Sequence, residues 1–157
     1  MLQTENRVTI AAPPEFVFSL AADVLAWPRM LPHYRYVRLV SGDSAPRSGE
    51  RVITMSARRS GIPITWTAQQ RLRPEDGVIE YRHLAGLSRG MEVRWTVTEV
   101  GQETEVVIDH VLEGGGWWMR LPLATWVAGD VFVRSIADRT LSGVKREAEA
   151  LTRGAAT

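Results

Sequence analysis

The chain has 157 residues, a formal net charge of +1 and no cysteine; that length suits one domain with a real core, and the missing thiols exclude disulfides, thiol catalysis and Cys-based metal sites. Cations and anions are mixed along the chain, which argues against a nucleic-acid footprint. No apolar run is long enough to cross a bilayer, and MLQTENRVTI has no basic region ahead of an apolar stretch, so neither a membrane span nor a signal peptide is expected and the protein should be cytoplasmic.

Residues 7–11 alternate as a first strand. The segment APPEFVFSLAAD (12–23) starts a helix, with Pro13 or Pro14 in the first turn, Glu15 at the positive end of the dipole, and Val17, Leu20, Ala21 and Val24 as an apolar stripe. LAWPRMLP (25–32) reads as a short, Pro-bounded second helix or turn. From Tyr34 the period becomes two, over 34–40, 50–58, 62–72, 78–84, 91–100 and 104–112, with turn-rich segments between. After EGGGWWMRLP a long helix runs from about Leu123 to Leu151, its stripe made by Trp126, Val133, Ala137, Leu141, Val144, Ala148 and Leu151. The expected fold is α+β, one unit over 1–157. A curved seven-stranded antiparallel sheet wraps around one long C-terminal helix, with two short helices after the first strand and an apolar pocket where sheet and helix part.

Alternation assigns the faces of the strands. Gln70 is the lone polar group on the face of Ile62, Ile64, Trp66, Ala68 and Leu72. Met91, Val93, Trp95 and Val97 point inward together, as do Val106, Ile108, His110 and Leu112. Residues 78–84 are two-sided, and apolarity places Ile79 and Tyr81 inside, with Glu80 and Arg82 as a solvent pair. The histidines (33, 83 and 110) lie too far apart for a short metal motif, and no metal or other cofactor is expected.

The segments VTIAAPPEFVFSLAADVLAWPRMLPHY (8–34), ITWTAQQ (64–70), YRHLAGLSRGMEVRW (81–95) and RTLSGVKREAEAL (139–151) resemble the START and birch-pollen-allergen superfamily with its helix-grip fold. Within it the chain is similar to the bacterial polyketide aromatase/cyclases. The resemblance implies pocket roles for Trp27, Tyr34, Trp66, Arg82 and Trp95, and it reverses the apolarity assignment by turning Arg82 inward. Gln70 stands where such enzymes carry a pocket arginine, and His110 where they carry a glutamine. The implied reaction is aldol cyclisation and dehydration of a polyketide, free or tethered to an acyl carrier protein, which is then a candidate partner. Arg82 would hold an enolate oxygen, Tyr34 would donate a proton or hydrogen bond, and His110 would act as base or acid.

Trp27, Trp66, Gln70, Trp95 and Ile108 would line the substrate site. Trp117 and Trp118, hinged by Gly114–Gly116, are read as core edge, lid or docking surface. Trp126, Asp130 and Arg134 on the long helix are further candidates, the last two set against a plain helix-surface salt bridge. The competing function is a non-catalytic carrier for a quinone, lipid or other apolar molecule; a toxin-like interaction module is a third, weaker reading.

Overall fold

The computed structural model describes residues 2–113 and 123–156, with side chains over 2–113 and 130–155. Seven strands form one sheet: β1 (Leu2–Ile10), β2 (Tyr34–Ser41), β3 (Gly49–Arg59), β4 (Ile62–Arg73), β5 (Val78–Gly86), β6 (Glu92–Val100) and β7 (Glu103–Leu112). Their spatial order is β1-β7-β6-β5-β4-β3-β2, every pair antiparallel. The helices are α1 (Pro14–Ala22), α2 (Trp27–Met30) and α3 (Leu123–Ala156), with a single 3₁₀ turn at Val24–Ala26 between the first two. This is the architecture that period and turn chemistry predict.

Two boundaries differ from expectation, for physical reasons. β1 begins at Leu2, ahead of the predicted start, because its inward positions include polar Thr4 and Asn6, which hide the alternation. Asn6 offsets its burial by bonding α3, through Nδ2 to the Arg134 carbonyl at 3.2 Å and to Asp138 Oδ1 at 2.6 Å. The α3 stripe is buried at Ala137, Leu141, Val144 and Ala148, but the helix continues to Ala156, past the predicted end, and Leu151 is 48 % exposed.

Curvature comes from local irregularities. Register shifts interrupt β2–β3 between Tyr34 and Tyr36 and again between Leu39 and Ser41, and β4–β5 between Thr67 and Ala68. Such bulges bend a strand and increase its twist, so the sheet curls around α3 instead of lying flat against it. At the end of β5, Gly86 holds φ 102° where an added Cβ would stand 2.7 Å from the Thr65 carbonyl oxygen, so the turn carrying Leu87 and Ser88 depends on glycine. Among the described residues no helix is long and apolar enough to cross a membrane.

One cross-strand row crosses the middle of the sheet. Arg51 pairs with Gln70, Gln70 with Tyr81, Tyr81 with Val93, Val93 with His110, and His110 with Thr4. Facing positions in neighbouring strands point to the same side of a sheet, so the concave face carries a line of polar side chains broken only by Val93.

Candidate functional site: an aromatic cavity between sheet and helix

A cavity of about 420 Å³ lies between the concave face and α3, within the several-hundred-Å³ range of small-molecule sites. The sheet supplies Met55, Trp66, Tyr81, His83, Val93, Trp95, Ile108 and His110, and α3 supplies Phe132, Val133, Ile136, Ala137 and Thr140. Leu87, 64 % exposed, stands at its rim beside Ser88. Trp27 and Tyr34, from α2 and the first position of β2, complete the wall.

The aromatic rings form a continuous strip. Trp27 meets Trp95 at 5.7 Å and the edge of Tyr34 at 5.1 Å, Tyr34 meets Trp66 at 6.3 Å, and Trp66 stacks on His83 at 5.7 Å with the planes 6° apart. These centroid separations are those of favourable offset and edge-to-face contacts. Trp27 is fixed further by its indole N–H, which donates to the Leu20 carbonyl at 3.2 Å. The result is a cavity walled by aromatic rings, most of them set at steep angles to their neighbours.

Few polar atoms reach this cavity, and burial sets their protonation. His110 is lowered to about 4 by burial, and His83 to about 3 by burial and by the His110 charge that would oppose its own. Both rings are therefore neutral near pH 7. His83 Nδ1 contacts Ser88 Oγ at 2.6 Å. His110 Nδ1 is buried and has no hydrogen-bond partner among the described residues. Burial lifts the phenols of Tyr34 and Tyr81 above their usual range, so both remain protonated donors.

Behind Tyr81 lies a polar network. Arg51, 3 % exposed, donates from Nε to Gln70 Oε1 at 2.7 Å, from Nη1 to the Ser44 carbonyl at 2.7 Å, and from Nη2 to the Ala22 carbonyl at 3.1 Å. Gln70 in turn donates from Nε2 to the Ala22 carbonyl at 3.2 Å and to Tyr81 Oη at 3.1 Å. Arg51 is in ion-pairing distance of no carboxylate among the described residues, and burial lowers its pKa without discharging a guanidinium.

The expected site residues divide accordingly. Trp27, Tyr34, Trp66, Trp95, Ile108 and His110 share the cavity. Arg82 does not. It is exposed on the outer face of β5, because Tyr81 faces Gln70 on one side and Val93 on the other, and the pleat then sends Ile79, Tyr81 and His83 inward. Glu80, expected as the solvent partner of Arg82, is bonded to Arg73 at 2.5 Å instead. Gln70 is fully buried but lies behind the wall, as a satisfied amide and not a lining group. Asp130 and Arg134 pair with each other at 3.2 Å on the exposed flank of α3 and do not line the cavity; an i, i+4 pair of opposite charges on a helix flank needs no pocket. Trp117 and Trp118, and the side chain of Trp126, lie outside the described residues.

Arg51, His83, Ser88 and Thr140 did not emerge as site residues from the sequence. Arg51 carried a signal, since it shares its parity on β3 with Ile53, Met55 and Ala57, all buried. His83 shares the parity of Ile79 and Tyr81. Among the described residues no three His, Asp or Glu side chains gather as a metal site.

A curved antiparallel sheet closed on one long helix over an aromatic cavity is the helix-grip fold. Residues 10–138 match the family described as polyketide cyclase/dehydrase and lipid transport, and the chain belongs to that family. A provisionally named polyketide cyclase of Streptomyces halstedii is 30% identical over 96 residues, 59% of this chain and 84% of that protein. The crystal structure of the ZhuI aromatase/cyclase from Streptomyces sp. R1128 superposes with a TM-score of 0.83 at 26% identity, over 98% of this chain and 97% of that one. A START superfamily protein from Mycobacterium smegmatis shares the fold at a TM-score of 0.68 and 17% identity, over 95% of this chain and 98% of that one.

Proposed function

We propose that this protein is a polyketide cyclase that closes a ring by aldol addition and then removes water, acting on a free or carrier-tethered intermediate inside the aromatic cavity. The observation that carries the reading is His110: a neutral imidazole with a buried Nδ1, unpartnered among the described residues, on the wall of the aromatic cavity. Trp27, Trp66 and Trp95 hold the flexible substrate in a foldable shape, which supplies the proximity part of the rate. His110 takes a proton from the carbon between two carbonyls and returns it to the alkoxide formed by ring closure, then takes the second proton from that carbon and delivers it to the departing hydroxyl, so both leave in the water released; general acid–base assistance of this kind contributes about 10²–10⁴-fold. Tyr34, kept protonated by burial, donates a hydrogen bond to a carbonyl oxygen.

The test is reconstitution with a minimal polyketide synthase and comparison of ring patterns among the products. Wild-type protein is expected to change the pattern and folded His110→Ala to lose that change; unchanged products with folded wild type would contradict the reading. A second reading, a carrier for an apolar molecule, is favoured by one observation: among the described residues no charged side chain reaches the cavity wall. A co-purifying quinone or lipid retained equally by wild type and His110→Ala would support it.

A further inference from the structure

The exposed position of Arg82 leaves the described cavity wall without the cation that an enolate oxygen would seek. A second polar device is present at the other end of the cross-strand row. We propose that Tyr81 is the oxyanion-binding group of the cavity, and that Arg51, acting through Gln70, is the positioning residue that keeps the Tyr81 proton turned toward the ligand. The ligand class is a carbonyl, enolate or phenolate oxygen carried on an apolar, planar skeleton. This rests on the reading of the cavity as a site for such molecules.

Donor and acceptor counts set the direction of that proton. A guanidinium can only donate, so the Arg51 Nε bond at 2.7 Å fixes which end of the Gln70 amide is oxygen. The amide nitrogen must then face the other way, where it meets the Ala22 carbonyl and Tyr81 Oη. Tyr81 Oη therefore accepts from Gln70 and cannot donate back along the same line. Among the described residues its own O–H has no acceptor, while its ring lines the cavity. The remaining direction for that proton is the cavity.

The same arrangement strengthens the donor. A phenol that accepts a hydrogen bond from an amide polarised by a buried cation gives up more charge through its own O–H. Tyr81 stays neutral, because burial opposes its ionisation more strongly than Gln70 and Arg51 favour it. Charge developing on a ligand oxygen is thus met by a hydrogen-bonded dipole with a cation behind it, the arrangement that stabilises oxyanions. No proton leaves Tyr81 at any stage. His110 stands two strands away on the same row, about 10 Å by strand spacing, so one planar ligand can place an oxygen on Tyr81 and an acidic carbon toward His110.

The substitution Gln70→Glu tests this without emptying the core. The new carboxylate keeps the shape and the contact with Arg51, gives up the bond to the Ala22 carbonyl, which retains its Arg51 donor, and turns the Tyr81 bond around, since Tyr81 must now donate to it. Two probes are titrated: 2-hydroxy-1,4-naphthoquinone, an oxyanion at neutral pH, and naphthalene, which has the rings and no oxygen. Tyr81→Phe and Gln70→Glu are each expected to weaken the oxyanion about tenfold, as for one lost hydrogen bond to a charge, and to leave naphthalene within about twofold. The double variant Tyr81→Phe/Gln70→Glu should lose no more than Tyr81→Phe alone, which separates an effect passing through the Tyr81 proton from simple repulsion by the added charge. Equal weakening of both probes, wild-type affinity of Gln70→Glu for the oxyanion, or additive losses in the double variant would overturn the proposal. Wild-type protein that binds neither probe would overturn the cavity reading as well, whereas naphthalene binding without any effect of the two substitutions overturns the Tyr81 assignment alone.

Discussion

The two ends of the polar row behave differently. At the β3 end, the Arg51 guanidinium and the Gln70 amide each have partners, and three backbone carbonyls are absorbed into the network. At the β7 and β1 end, His110 Nδ1 and Thr4 Oγ1 are buried without any partner among the described residues. Both ends bury polar groups on the same concave face of the same sheet, so burial alone does not mark function. A closed network costs little to keep and aims one hydroxyl; an open one carries a desolvation penalty of about 1–3 kcal/mol per atom, which a ligand in the cavity can relieve at His110.

The largest way to break that contrast is to open the closed end. Arg51→Met leaves Gln70 Oε1 and the Ser44 carbonyl without their donor and is expected to cost about 2–6 kcal/mol of stability, at about 1–3 kcal/mol for each buried acceptor left unsatisfied, read as a fall in chemical-denaturation midpoint. His110→Ala acts at the open end and should do the reverse: turnover falls about 10²–10⁴-fold, while stability changes by less than about 1 kcal/mol, since the loss of ring packing is offset by removing an unsatisfied nitrogen.

Acid should sharpen the difference further. His110 titrates at about 4 in the folded state against an ordinary value of 6.5, and His83 at about 3. The folded pKa values are lowered, so the unfolded chain binds more protons between the two limits. The neutral-ring advantage is then complete above about pH 6.5 and is lost progressively as pH falls toward 4 and below. Stability curves of wild type should therefore drop across that window, and His83→Gln/His110→Gln should flatten them in part, the remaining slope coming from His33, which burial also lowers to about 4. Arg82→Ala marks the small end of the scale. An exposed side chain on the outer face should change stability by no more than about 0.5 kcal/mol and leave turnover as it was, in a parallel assay with His110→Ala.

Much of the fold was legible because period, turn residues and caps all pointed the same way. The strand at residues 2–6 was not, since Thr4 and Asn6 are polar residues whose burial is decided only when α3 docks. The cavity wall was readable wherever an inward residue is apolar or aromatic, as for Trp66, Trp95 and Ile108. β5 shows the limit. Its two faces carry comparable polarity; apolarity alone favoured Tyr81, and family resemblance favoured Arg82. Strand pairing decides the matter for Tyr81, and pairing is a long-range property that a local window does not contain. Arg51 escaped for the converse reason: parity placed it inside, yet a buried arginine is rare unless its donors are all taken, and its acceptors lie on Ala22, Asp43, Ser44 and Gln70, scattered over nearly fifty residues.

One ligand spans the row, with an oxygen on Tyr81 and reactive carbon toward His110: a crystal structure with 2-hydroxy-1,4-naphthoquinone bound tests this central claim most directly. The expected result is a ligand oxygen within hydrogen-bond distance of Tyr81 Oη, its rings against Trp66 and Trp95, and its far edge at His110. A ligand lying at the rim with its oxygens on Ser88, touching Tyr81 and His110 only through carbon, would contradict it.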